Sequence, residues 1–282
     1  MMPPPKISVL ILTFNEELNL PDCLRSVAWC DDVVVFDSFS TDQTVDIAKA
    51  AGVRVIQHTF TDFGSQREAS LRLGGFKHSW VLILDADERP DAGLKEEIET
   101  VLAQDPSCDA YRLRRKDHFL GHWIRRSTQY PVWFVRLLRH GSVHYEPRSV
   151  HEYPAVAPGR LGQLQGHLLH FSFNKGLGEW VEKHNRYAAL EAAETIRGQY
   201  GGGPVWHGLL DSDPVTRRKA QKRLFQRLPF RPVLRFVYTF IWKRSFLDGS
   251  AGFHYTLLLA YYEYLISLKV KELRRRQKGL PV

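Results

Sequence analysis

The sequence predicts an α/β fold: a doubly wound, mostly parallel sheet followed by a basic, aromatic-rich helical C-terminal extension. Three observations carry that expectation. Over residues 6–90, apolar runs of strand length alternate with helical patterns, as in a parallel sheet covered on both faces. Polar and acidic residues recur where those runs end. Charge is also unevenly divided: residues 214–282 carry 16 Lys and Arg against 3 Asp and Glu, whereas residues 1–213 carry 23 against 28.

The elements follow in order. Lys6–Thr13 (KISVLILT) is apolar and rich in β-branched residues, which suits a strand. Asn15, Glu16 and Glu17 lead into a helical pattern through Leu18, Leu24 and Val27. Asp32–Asp37 (DVVVFD) repeats the strand signal, and Ser40-Thr41-Asp42 opens a helix over Thr44–Ala51 that Gly52 closes. Val53–His58 is a short strand, residues 65–74 are helical, and Trp80–Leu84 is the strand that carries the acids Asp85, Asp87 and Glu88.

Beyond residue 110 the pattern becomes that of a mixed sheet. Tyr111–Lys116 and Val132–Arg139 are strands around an exposed Gly121-His122-Trp123 loop, and further strands are expected within Tyr145–Tyr153 and His167–Phe173. Gly178–Tyr200 is a helix ended by Gly201-Gly202-Gly203-Pro204. A basic helix over 214–227, a Pro229/Pro232 break, an aromatic and basic stretch over Val233–Phe246 and a last helix from Gly252 to Arg276 complete the chain. The division expected is one domain over 1–210, with a first half to about 110 and a second half beyond it, and a helical region over 211–282.

Several classes are set aside. The opening MMPPPK has no basic segment followed by an apolar core, so no signal peptide is expected. No run of 18 or more uncharged apolar residues marks a membrane span. Cys23, Cys30 and Cys108 have no CxxC spacing, which fits a reducing compartment better than a zinc site or a disulfide scaffold. The marks of dinucleotide binding, P-loop hydrolysis and α/β-hydrolase chemistry are absent.

In open parallel sheets ligands collect at the carboxyl ends of the strands, where Asn15-Glu16, Asp37-Ser38 and Asp85/Asp87 all fall. Asp85 and Asp87 stand at i and i+2, a spacing that in extended backbone puts both carboxylates on one face. Their hard oxygens suit Mg²⁺ or Mn²⁺ shared with a diphosphate. An acidic cap after the strand is the competing reading.

These residues carry a resemblance. LTFNEE (12–17), CLRS (23–26), VVVFDSFSTDQT (33–44) and LILDADE (82–88) resemble the N-terminal half of a family 2, GT-A-fold glycosyltransferase. SVHE (149–152) and FLDGxxGF (246–253) extend the resemblance to the subgroup of lipopolysaccharide inner-core β-1,4-glucosyltransferases. It implies that Asp37 contacts the base or ribose, that Thr13, Asn15 and Glu16 line the nucleotide pocket, and that Arg67 touches the nucleotide. It also implies that Asp85 and Asp87 bind metal and diphosphate. The chain has DSFSTD where many members have a DDGSTD-like string, so Phe39 stands in place of a glycine.

Inverting transfer needs a base for the acceptor hydroxyl, and Glu152 is the candidate, with a structural pair to Arg148 or Arg160 as its alternative. Histidines beside apolar neighbours, such as His151 and His170, are most often structural; His170 is carried as a candidate metal contact. The resemblance implies UDP-glucose as donor and a lipid-linked saccharide as acceptor. Polyprenyl phosphate is the alternative acceptor, and a non-catalytic nucleotide-sugar-binding scaffold is the alternative class.

The last helix is apolar for about five turns and then strongly basic, and Val233–Arg244 (VLRFVYTFIWKR) offers a similar surface. Both fit contact with an anionic membrane surface, and an ordinary core helix or a homo-oligomer interface is the competing reading. Nucleic acid is not expected, because no recognised binding motif accompanies the charge. The expected location is cytoplasmic, at the inner face of the plasma membrane.

Overall fold

The computed structural model describes residues 6–104, 107–145, 154–197, 217, 224 and 228–282. Two compact units emerge: Met1–His118 with Gln129–Lys175, and Phe119–Thr128 with Gly176–Val282.

In the first unit, β1 (Ser8–Thr13), β2 (Val33–Asp37), β3 (Arg54–Gln57) and β4 (Trp80–Asp85) make the expected parallel half. Between them lie α1 (Leu20–Ser26), α2 (Thr44–Ala50) and α3 (Phe63–Leu73). After β4 come β5 (Glu88–Pro90) and α4 (Leu94–Ala103). The interiors of β1, β2 and β4 are apolar at successive positions because both sheet faces are covered. Val9, Ile11, Val35, Leu82 and Leu84 pack with Leu20, Cys23, Ala48, Leu94 and Ile98 of α1, α2 and α4. Leu10, Val34, Phe36, Val81 and Ile83 pack on the other side with Ala69 and Leu71 of α3. Each buried Val, Leu, Ile or Phe side chain among these contributes about 1.5–3 kcal/mol on burial. Asp62 starts α3 by accepting a 2.9 Å hydrogen bond from the Ser65 amide.

The other half is mixed: it adds β6 (Ala110–Phe119), β8 (Trp133–Arg139) and β11 (Leu161–His170), and the strand order is β3-β2-β1-β4-β8-β6-β11-β5. β8 runs antiparallel to both β4 and β6, β11 is parallel to β6, and β5 is antiparallel to β11. β11 begins six residues before the expected start at His167. A separate two-stranded ladder joins β9 (His144–Tyr145) to β10 (Pro154–Ala155).

The second unit contains β7 (His122–Trp123), α5 (Gly176–Arg197), α6 (Arg231–Val237), a π turn (Tyr238–Trp242), a 3-10 turn (Ser245–Asp248) and α7 (Gly249–Gln277). Its core joins Ala188 and Ala192 of α5 to Ile266 and Val270 of α7. Pro232 lies in the first turn of α6. It initiates that helix where the sequence suggests a break, because a first-turn residue needs no amide donor. Of the basic helix expected over 214–227, Arg217 and Leu224 are described and helical, and the remainder lies outside the described residues.

The FLDGxxGF string has a physical explanation. Asp248 does not cap α7 with its side chain; its Oδ2 accepts hydrogen bonds from the amides of Arg126 and Ser127 and from Ser127 Oγ, each at 2.7 Å. Gly249 has φ +68°, a backbone that favours glycine. At Gly252 a Cβ would lie 2.1 Å from the Ser245 carbonyl oxygen. Gly252→Ala is therefore expected to destabilise the protein by about 1–3 kcal/mol. Urea unfolding of the full chain checks this, and an unchanged midpoint would show that the approach can relax.

Candidate active site

The site starts from register. Thr13 is paired with Asp37, and Leu12 with Asp85, so β1, β2 and β4 end within one residue of one another. Asp37 is fully buried, and its carboxylate shapes the turn that follows it. It accepts hydrogen bonds from Thr13 Oγ1 at 2.9 Å, the Ser40 amide at 2.9 Å, Gln57 Nε2 at 3.1 Å and the Ser40 hydroxyl. Asn15 has φ +53° and joins the two loops. Its amide donates to Ser40 Oγ at 2.8 Å, and its Oδ1 accepts from the Thr41 amide at 2.8 Å. The Glu16 amide donates to Thr44 Oγ1 at 2.7 Å. Phe39 adopts φ +58° and is exposed, so the position where a glycine was expected keeps a backbone that glycine favours.

A second register argument brings in distant residues. His170 is paired with Glu88 across β11–β5 and with Asp117 across β11–β6. His170 thereby sits between two carboxylates, with Nδ1 2.6 Å from Asp117 Oδ1 and Nε2 3.2 Å from Asp87 Oδ2. Burial opposes the charged ring, but the Asp87 and Asp117 carboxylates outweigh it and push His170 up to about 9. Asp85 is gripped by Arg67 of α3 at 2.9 Å and by Arg136 of β8 at 2.6 Å. Arg136 also reaches Glu88 Oε1 at 2.8 Å, and Arg115 Nε lies 3.0 Å from Asp117 Oδ1.

Four carboxylates (Asp85, Asp87, Glu88, Asp117) thus face four cations (Arg67, Arg115, Arg136, His170). The acids differ in what they can reach. The Asp85 and Asp87 side chains are 37% and 25% exposed, while Glu88 is sealed at 0%. Burial opposes ionisation of Asp85, yet Arg136 and Arg67 hold its carboxyl well below the usual range. For Glu88, burial pushes the carboxyl up against the pull of Arg136.

Among the described residues, no group of three or more His, Cys, Asp or Glu is arranged to hold a metal ion. The donors present fit a Mg²⁺ or Mn²⁺ ion in another way. Such ions are held by one or two carboxylates, with substrate phosphate and water completing the shell, and the turn at Asp85 and Asp87 offers two hard-oxygen donors. His170 faces Asp87 as a cation, so ligation through Nε2 requires loss of that proton.

The structure brings the sequence-predicted residues together in two groups: Thr13, Asn15, Glu16 and Asp37, and Arg67, Asp85, Asp87 and His170. Lys175, five residues past His170, pairs with Glu16 of the first group at 2.6 Å. Burial pushes the Glu16 carboxyl up, against Lys175 and Asn19, and the Asp87 charge acts in the same direction as burial. Glu152, His151 and Arg148 lie outside the described residues. Arg160, the other suggested partner of Glu152, makes two hydrogen bonds to Asp109, at 2.8 and 2.6 Å.

Sequence reasoning missed Arg136, Asp117, Arg115 and Lys175. Arg136 carried a usable signal, since an arginine inside the apolar run VWFVRLL is costly to bury without a carboxylate partner. Asp117 carried none, because its role depends on a register partner 53 residues away.

Comparison with known proteins agrees with this geometry. The Glycosyl transferase family 2 model matches residues 8–155, just over half of the chain. The chain is 28% identical over 288 residues to the lipopolysaccharide core biosynthesis glycosyltransferase LpsC of Rhizobium meliloti (strain 1021), covering 100% of this chain and 97% of that protein. It is 32% identical over 274 residues to an uncharacterized glycosyltransferase of Rickettsia bellii (strain RML369-C), covering 95% and 87%. Among solved structures, a mycobacterial protein aligns with TM-score 0.45 at 18% identity over 59% of this chain and 67% of that one. Glucosyl-3-phosphoglycerate synthase of Mycobacterium tuberculosis, in complex with Mn²⁺, UDP-glucose and phosphoglyceric acid, aligns with TM-score 0.33 at 23% identity over 42% and 45%. The family match begins at β1 and takes in the acids at the ends of β2 and β4, so the chain belongs to glycosyl transferase family 2 and has a GT-A fold with a basic, aromatic-rich helical extension.

Proposed function

We propose that this chain is an inverting hexosyltransferase. It moves glucose from UDP-glucose, with Mg²⁺ or Mn²⁺, to a hydroxyl of a lipid-anchored saccharide such as the lipopolysaccharide inner core, at the cytoplasmic face of the plasma membrane. The observation that carries this reading is the pair Asp85 and Asp87, open to solvent at the end of β4 beside His170, inside the segment the family model matches. The acceptor class is supported by the relative named for lipopolysaccharide core biosynthesis, which aligns over the whole chain.

In this reading the turns at Asn15–Glu16 and Ser38–Thr41 receive the nucleoside, and Asp37 fixes their shape from beneath. Asp85 and Asp87 would hold the divalent ion, which when bound neutralises charge on the leaving diphosphate. Arg67 and Arg136 keep Asp85 ionised and in place. Glu152 takes the proton of the acceptor hydroxyl as that oxygen attacks C1 of glucose. The C1–O bond to the diphosphate breaks on the opposite face, and UDP leaves with the bonding electrons.

Calorimetric titration with UDP, GDP and their glucose, galactose and mannose conjugates, with and without Mn²⁺, tests the donor half. Metal-linked UDP binding is expected, and binding of no nucleotide under either condition would sink the reading. Glu152→Gln is expected to reduce turnover about 10²–10⁴-fold with little change in UDP affinity. Near-normal turnover would remove the general-base role and favour an acceptor that is already ionised, such as polyprenyl phosphate.

A further inference from the structure

The second unit carries an inverted amphipathic surface. From Phe230 to Trp242 the exposed residues are Phe230, Val233, Leu234, Val237, Tyr238, Ile241 and Trp242, and not one is charged. Their spacing of three and four residues makes a single stripe along α6 and the π turn. Polar residues turn inward at three points in or beside this segment, while Arg235 is half-buried and Arg244, just past it, is exposed. Arg231 is buried and paired with Glu263 of α7 at 2.6 Å, Thr239 is buried, and Lys243 donates to the Thr128 carbonyl. A helix built only to cover its own core has the reverse arrangement. The outermost rings stand nearly free, with Phe230 77% and Trp242 80% exposed.

α7 repeats the theme. Phe253, Leu257, Tyr261, Tyr264 and Leu268 form an exposed line at helical spacing. Past Leu268 the exposed residues become basic, with Lys271, Arg274, Arg275 and Lys278. The three acids of residues 214–282 are engaged within the unit: Asp248 with the Arg126 and Ser127 amides, Glu263 with Arg231 and Glu272 with Arg276. The charge left to face outward is therefore positive.

We infer that α6, the π turn and α7 form a docking face for an anionic lipid bilayer, with Phe230, Ile241 and Trp242 entering the headgroup–acyl boundary and the basic end of α7 contacting lipid phosphates. This gives a surface to the membrane location proposed above, but it rests on the second unit alone. Two features select lipid over a second copy of the chain. Pairing two copies through this face would bring together two regions that each carry 16 basic against 3 acidic residues. Tyr and Trp beside aliphatic side chains and arginines are also the composition that partitions to a bilayer interface. Among the described residues no helix is long and apolar enough to cross a membrane, so the contact is one of lying on the surface.

The test is co-sedimentation of the full chain with vesicles of phosphatidylcholine alone or with about one third phosphatidylglycerol, at low and high salt. Wild type is expected to bind the anionic vesicles, less so at high salt, and to leave the neutral ones. The surface variant F230S/I241S/W242S is expected to lower partitioning by about tenfold or more, and R274Q/R275Q/K278Q to abolish the preference for anionic lipid. Equal or absent binding to both vesicle types, or wild-type binding by the triple serine variant, would overturn the inference. So would a dimer in size-exclusion chromatography that the triple serine variant converts to monomer. UDP titration of the same variants is expected to match wild type, so failure of the donor reading and failure of the docking face remain distinguishable.

Discussion

Replacement of Arg136 by methionine is expected to cost about 3–5 kcal/mol of folding stability, because it strands a buried carboxylate. Arg136 is 4% exposed and neutralises Glu88, which is 0% exposed, at 2.8 Å, as well as Asp85 at 2.6 Å. Urea unfolding reads the loss directly. The double variant R136M/E88Q is expected to recover much of it, since the uncompensated charge is then gone. A wild-type midpoint for R136M would mean that Arg115, 4.0 Å from Glu88 Oε1, already supplies the counter-charge. The pH dependence has a definite sign. Burial raises the Glu88 carboxyl in the folded state, so the native protein binds more protons than the unfolded chain there. Stability linked to Glu88 falls as pH rises through that window. Without Arg136 the effect grows, and the deficit of R136M relative to wild type narrows on acidification.

Asp87→Asn is expected to lower turnover about 10²–10³-fold and to remove the dependence of UDP affinity on Mn²⁺. Its fold should survive, because the arginines that need a carboxylate are held by Asp85 and Glu88. Asp85→Asn should damage both properties, since Arg67 and Arg136 then share less negative charge in a buried site. Comparing the two variants therefore separates ligand binding from scaffold. If D87N keeps metal-linked UDP binding and turnover, the acids at the end of β4 do not handle the diphosphate. A drop in both variants confined to stability would make Asp87, too, a structural partner of His170.

How much of this was legible in the sequence differs between the two halves of the sheet. β1, β2 and β4 were plain because strands buried on both faces are apolar throughout their interiors, with polar residues only at their ends. β6 (AYRLRRKDHF) was read in part, over Tyr111–Lys116, before its pattern is lost in a polar run, and β11 (LGQLQGHLLH) has no β-branched residue, so only its end was expected. The site followed the same division. Asp37, Asp85 and Asp87 sit at the ends of legible strands. Arg136, Arg115 and Asp117 lie inside strands whose neighbours are fixed only by long-range pairing. His170 could be named from the sequence, but its place between two carboxylates could not. In the extension the exposed stripe was visible as aromatic density, while its orientation depended on Arg231 finding Glu263.

The tie between Asp248 and residues 126–127 also bears on how the chain is made. The segment Phe119–Thr128 belongs to the second unit, although its chain neighbours β6 and β8 are sheet strands of the first. Its anchor lies 121 residues downstream. At ribosomal rates of about 5–20 residues per second, that partner is synthesised roughly 6–24 s later. During that interval the sheet of the first unit can complete while the Arg126 and Ser127 amides still wait for a carboxylate. A chain ending before residue 248 would have the whole row of acids at the strand ends but would lack the carboxylate that holds the Arg126 and Ser127 amides. The C-terminal third therefore acts as a late lock, and nascent chains cut short of it should be preferred clients for chaperones and proteases.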